Sequence, residues 1–128
     1  MSGLELQRAV AAALRAAPAL ADWPVRDGVH GAAALPAIEI GPERVDDMGA
    51  KGVRLRRHRF GVTLHGEGPD LAGLKTPMAA AEQAVLLMDE APGAARLVRI
   101  GFLRSFTRRD VRSGAVVGEL DFEAVIEG

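Results

Sequence analysis

VVGELDFEAVIE, residues 116–127, decides how the rest of the chain folds. Val116, Leu120, Phe122, Ala124 and Ile126 alternate with Glu119, Asp121, Glu123 and Glu127, and a period of two sends successive side chains to opposite faces of a strand. The spacing predicts a strand over 115–127 with one face in a core and the other almost wholly acidic. Such a strand needs neighbours in a sheet and a second layer over its apolar face.

The residues just upstream supply the first neighbour. RRDVRSG (108–114) has the composition of a turn, and Arg96 to Thr107 carries Val98, Ile100, Phe102 and Phe106 as if on one side of a partner strand. The pair predicts a hairpin over about 96–127. Before it, Thr76-Pro77 opens a helix whose Met78, Ala81, Val85 and Met88 form a stripe, ending ahead of Pro92-Gly93, so a helix is expected over about 76–91. GEGPDLAG (66–73) reads as the linker into it.

A second hairpin is predicted over about 35–66. In ALPAIEIG (34–41), Ile38 and Ile40 alternate with Ala37 and Glu39; DDMGAKG (46–52) has the residues of a loop longer than a tight turn. GVRLRRHRFGVTLHGEG (52–68) is then the return strand, but its pattern changes phase. Val53 and Leu55 sit at odd positions, Phe60, Val62 and Leu64 at even ones. A one-residue slip reverses the buried face, so the expectation is either a bulge near 56–59 or a basic arm, 53–59, reaching past the core.

At the start of the chain, Leu6, Val10, Leu14 and Ala17 recur at helical spacing from residue 4 to about 16, with Glu5 early and Pro18 closing the run. Trp23-Pro24 and Asp27-Gly28 mark a loop after it. The order helix, hairpin, helix, hairpin predicts an α+β domain, with the two helices packed on one face of a largely antiparallel sheet. A length of 128 residues suits one domain, 1–128.

Bulk chemistry narrows the function classes. Lys+Arg 16 against Asp+Glu 17 leaves a net charge of −1, without the basic excess of a dedicated nucleic-acid binder. With no cysteine there is no disulfide framework, thiolate metal site or cysteine nucleophile. Glu5, Arg8 and Arg15 interrupt the apolar residues of the N-terminal segment, so it resembles neither a signal peptide nor a membrane span, and synthesis in the cytoplasm is expected.

No catalytic or cofactor constellation emerges. His30, His58 and His65 lack metal-ligand spacing; His65-x-Glu67 matches half of a zinc-deaminase motif whose cysteines are missing. Ser2, Ser105 and Ser113 are in no nucleophile elbow, and the glycines at 49, 52, 66 and 68 form no phosphate loop. The carboxylates at 119, 121 and 123 line an open strand face rather than a pocket. No enzyme, cofactor or metal is expected.

What remains is two opposed charge patches. Arg54, Arg56, Arg57 and Arg59, with Asp46, Asp47 and Lys51 of the preceding loop, could face Glu119, Asp121 and Glu123 of a neighbouring copy, and complementary patches on one chain build a head-to-tail ring where the rotation closes. The acidic face could instead line a bore, where like charge keeps DNA from sticking. Under pairing, reversal of Glu119 and Glu123 to lysine would abolish rings. A nucleic-acid grip by Arg54 to Arg59 is the rival, with steep salt-dependent DNA affinity as its signature.

In order and spacing the chain resembles the tail-completion, or tail-terminator, proteins of long-tailed bacteriophages, prophages and gene transfer agents. The likeness runs through Leu6, Leu14 and Leu20 of the first helix, Val25-Arg26-Asp27-Gly28, Ala34-Leu35-Pro36-Ala37-Ile38-Glu39-Ile40-Gly41, a charged loop, Val62-Thr63-Leu64-His65, a helix and two closing strands. The resemblance implies a non-enzymatic α+β subunit that forms a hexameric ring on the head-proximal end of the tail tube. Such a ring stops tube polymerisation and docks the head connector or stopper; DNA only passes through its bore. It also implies assembly in the bacterial cytoplasm without a membrane, then residence in the particle tail. Another head–tail joining subunit, an adaptor or stopper, would share these features.

Overall fold

The structure, a computed structural model, describes residues 3–26, 35–49, 51–88 and 95–128. His30, the Asp27-Gly28 pair and Pro92-Gly93 lie outside the described residues. In chain order the elements are α1 (Gly3–Ala16), β1 (Val25–Arg26), β2 (Ala37–Ile40), β3 (Arg44–Asp47), β4 (Leu55–His65), α2 (Lys75–Leu86), β5 (Arg96–Arg109) and β6 (Val116–Glu127). Both helices, both hairpins and the α+β class agree with the sequence reading.

Strand order is β1-β2-β4-β6-β5, with β3 paired to β4 beyond the end of β2. All pairings are antiparallel except β1 with β2. The helices bury Leu6, Val10, Leu14, Ala81 and Val85 against the side of the sheet that carries Ile38, Phe60, Val62, Leu64, Leu120, Phe122, Ala124 and Ile126. Spacing explains α1: residues 6, 10 and 14 recur four apart on one stripe, while Glu5 in the first turn and Arg15 in the last complement the helix dipole. A short 3-10 turn, Leu71–Leu74, leads into α2, and Asp70 caps it by accepting from the Ala72 amide at 2.9 Å.

Three expectations change. The β4 ladder runs unbroken from Leu55 opposite Glu127 to His65 opposite Val117, with β3 on its other side at residues 56–59. There is no bulge near 56–59, and 55–59 is not an arm beyond the core. The even phase of Phe60, Val62 and Leu64 continues upstream through His58, which is 1% exposed. A polar residue in an apolar slot produced the false slip; only Val53 and Arg54 precede the strand as exposed coil.

The second change concerns short strands. Asp46 and Asp47 belong to β3 rather than to a loop, and Val25 and Arg26 form β1. Neither run is long or apolar enough to show a period, and each exists because a longer strand offers it a free edge. The third concerns β5. Register shifts between Leu97 and Arg99 and between Phe102 and Arg104 insert Val98 and Leu103 as extra residues. Leu97, Ile100 and Phe102 therefore share the helix side with Ile126, Ala124 and Phe122, whereas Phe106 is carried to the opposite side, level with Glu119.

Backbone packing is close where β4 leaves the sheet. Gly66 donates its amide to the Val116 carbonyl at 2.8 Å, and a Cβ placed on it would lie 3.0 Å from that same oxygen and 2.9 Å from Val116 Cγ2. A main-chain oxygen has nowhere to retreat. Gly66→Ala is expected to cost about 1–3 kcal/mol, read as a shift in the urea midpoint. Gly68→Ala, which meets nothing within 4 Å, serves as the near-neutral control.

Candidate functional site

The sheet face turned away from the helices is a lattice of charge. β6 contributes Glu119, Asp121, Glu123 and Glu127, and β5 answers with an arginine for each: Arg108–Glu119 at 3.6 Å, Arg104–Asp121 at 2.6 Å, Arg99–Glu123 at 2.8 Å and Arg96–Glu127 at 3.4 Å. From the other flank Arg59 reaches Glu123 at 3.7 Å, and Arg57 and Arg44 meet Asp46 at 3.5 and 3.3 Å. Bulges make this possible: by shifting phase twice, β5 brings residues 96, 99, 104 and 108 to one face despite their irregular spacing.

Most of these pairs are half-exposed, and water screens them so that each adds little to stability. Glu123 differs. It is 7% exposed and held between two guanidiniums at the centre of the sheet. Asp121 raises the pKa of Arg104 above its ordinary value, first through their hydrogen bond and then through charge. Burial pushes the Asp46 carboxyl up, but Arg44 and Arg57 outweigh it and hold the group below its usual value. Arg104 also lies 5.6 Å from the Phe106 ring centroid, a cation–π contact on the same face.

The ten residues singled out from sequence thus divide. Arg57, Arg59, Asp46, Glu119, Asp121 and Glu123 are ion-paired within their own chain. Lys51, Arg54 and Arg56 are exposed and make no ion pair among the described residues, and Asp47 accepts from the Gly49 amide at 2.9 Å. An acidic face waiting for a neighbour's arginines is accordingly not what the fold presents: the arginines of β5, overlooked in the sequence, already neutralise it. Their signal was a basic strand, with five arginines and no acid, next to an acidic one.

On the helix side His58 is buried with Glu43, its Nδ1 2.8 Å from Oε2. Glu43 also lines a cleft of about 270 Å³ with Leu6, Val10, Ile40, Pro42 and Phe60. His65 lies 3.3 Å from Glu39 on the charged face. His58 and His65 are therefore each tied to a single carboxylate, and among the described residues no group of three or more His, Asp or Glu could hold a metal ion. No helix among them is long and apolar enough to cross a membrane.

At the far end of the β5–β6 hairpin, Asp110 organises the turn. Its Oδ1 accepts from the Arg112 and Ser113 amides at 2.8 and 3.0 Å, and Gly114 closes the loop with φ 71°. The two backbone hydrogen bonds, Ser113 first, hold its carboxyl below the ordinary value. A depressed carboxyl contributes stability above its unfolded pKa, about 3.9, and loses it as pH falls through the folded value. Wild type is expected to unfold at higher temperature than Asp110→Asn between pH 5 and 7, with the gap beginning to close only as pH falls below about 4; melting curves across pH read this.

Comparison with known proteins follows the same outline. The family model for tail completion protein gp17 matches residues 8–127. Among solved structures, a chain from the virion of a native gene transfer agent (GTA) particle superposes with a TM-score of 0.84 at 29% identity, covering 97% of this chain and 96% of that one. No curated protein sequence matches the chain.

Proposed function

The chain belongs to the tail completion protein gp17 family, a structural component of phage-like tails, and from that premise we propose that it forms a ring on the head-proximal end of a tail tube, ends the tube's polymerisation and presents the surface on which the head docks. The observation that carries this reading is the match over almost the full length of both chains to a component of a gene transfer agent virion. The role is mechanical rather than catalytic. Copies of the chain, the tube protein and a head connector or stopper are its partners, and DNA meets it only in passing through the bore. Assembly takes place in the bacterial cytoplasm before the particle is complete.

The charged sheet face supports this reading in one respect. Its eight arginines and six carboxylates, Arg26 and Glu39 included, leave only two positive charges uncancelled, so DNA moving past would meet neither a strong attraction nor a strong barrier. Lys51, Arg54 and Arg56, which make no ion pair among the described residues, are the basic groups left for a neighbour in the tail. Removing the protein from a producing strain tests the role: tubes of uncontrolled length and heads without tails are expected. Normal particles in its absence would refute it, and a strain that makes full tubes but unjoined heads would favour an adaptor or stopper instead.

A further inference from the structure

The two uncancelled positive charges of the charged sheet face are not spread over it. Elsewhere on the face each arginine has a carboxylate to itself: Arg26 lies beside Glu39 in register, and Arg96, Arg104 and Arg108 pair one to one with acids of β6. At the β3 end four arginines, Arg44, Arg57, Arg59 and Arg99, share two acids, Asp46 and Glu123, which leaves an excess of two. The whole excess therefore sits in one place.

Those four guanidiniums are also loosely held. Arg59 meets Glu123 only at 3.7 Å, beyond hydrogen-bond reach, and Arg57 meets Asp46 at 3.5 Å, the far limit of one. The Nε atoms of Arg57 and Arg59 are buried without a hydrogen-bond partner among the described residues. All four side chains still reach water, with 30–72% of their surface exposed.

Their placement fits a polyanion lying across the face. Arg57 and Arg59, two residues apart on β4, stand about 7 Å apart along the strand, comparable with the step between successive phosphates of a nucleic-acid chain. Arg44 flanks Arg59 from β3, and Arg99 lies level with Arg57 across Val125. A guanidinium fork takes a phosphate through two parallel N–H donors. Val125 is 3% exposed between them, so the cluster itself offers charge and little of the apolar anchor around which a protein interface is built.

We propose that Arg44, Arg57, Arg59 and Arg99 form a contact site for the phosphate backbone of DNA. The site rests on the ring reading above for its source of DNA, the duplex in the bore. With an excess of two charges, one copy balances two phosphates, reads no sequence and holds the duplex loosely enough for it to slide.

Titration of the isotope-labelled free chain with a short DNA duplex, followed by nuclear magnetic resonance, tests this, because the Nε–H groups of Arg57 and Arg59 are shielded from water and report the contact directly. At about 50 mM salt the Nε–H signals of the four arginines should shift together, and at about 200 mM the binding should weaken about tenfold. Arg44→Gln should reduce that salt dependence to about threefold, while Arg108→Gln, outside the cluster, leaves it near tenfold. Equal effects of the two substitutions would mean general charge attraction, and a polyglutamate peptide that shifts the same signals at lower concentration than DNA would mean an acidic protein partner; either overturns the proposal. No shift at low salt would also overturn it, and the ring reading stands if that chain still caps tail tubes. Shifts at the cluster in a chain that fails to cap tubes would confirm the phosphate site and remove the ring.

Discussion

Phe122→Ala is expected to lower the unfolding free energy by about 3–5 kcal/mol, the largest single loss available in this chain. Phe122 is fully buried in the middle of β6. Its ring stacks on Phe60 at 5.6 Å between centroids and meets Phe102 edge-on at 6.1 Å, so truncation opens a cavity and removes two aromatic contacts together. A domain of this size is stable by about 5–15 kcal/mol, so the variant would be partly unfolded at physiological temperature. Phe106→Ala, which removes a ring from the exposed face, should change stability by about 1 kcal/mol or less. Denaturant titration of the two variants side by side measures the contrast.

Glu123→Lys comes next, at about 3 kcal/mol, the lower end of what breaking a buried ion pair costs, because Arg59 and Arg99 keep access to water. Lysine would set a third cation between two guanidiniums in a site 7% exposed. Glu123→Gln, which keeps the shape and a hydrogen-bond acceptor, should lose roughly half as much. The consequence for assembly is specific: loss of rings in a lysine variant at position 123 would report damage to the fold. Glu119→Lys, against a partner at 3.6 Å, should cost about 1 kcal/mol or less. Denaturation and ring formation therefore need to be measured on the same preparations.

How much of this was legible in the sequence follows from where the physics is local. β6 announced itself because apolar Leu120, Phe122, Ala124 and Ile126 interleave with acidic Glu119, Asp121, Glu123 and Glu127, and α1 because residues 6, 10 and 14 repeat four apart. β4 was found but misphased, since hydropathy scores His58 as polar while Glu43, fifteen residues away, makes it a buried residue. The two bulges of β5 are invisible to a period-two reading, which grouped Phe106 with Phe102 when the fold puts them on opposite sides. β1 and β3 take their shape from their neighbours.

The charge patches show the same division. That an acidic strand face needs cations was readable; which cations it receives was not, because Arg96, Arg99, Arg104 and Arg108 share a face only through the bulges. Sequence offered Glu123 to a second copy, and the fold gives it to Arg99 and Arg59 of its own chain.

Electron microscopy of purified tail tubes incubated with the full-length chain, then supplied with fresh tube protein, tests the central claim most directly. The predicted result is a ring on one end of each tube and no further growth from that end. Tubes that stay bare, bind the chain along their sides, or elongate at the same rate from both ends would contradict it.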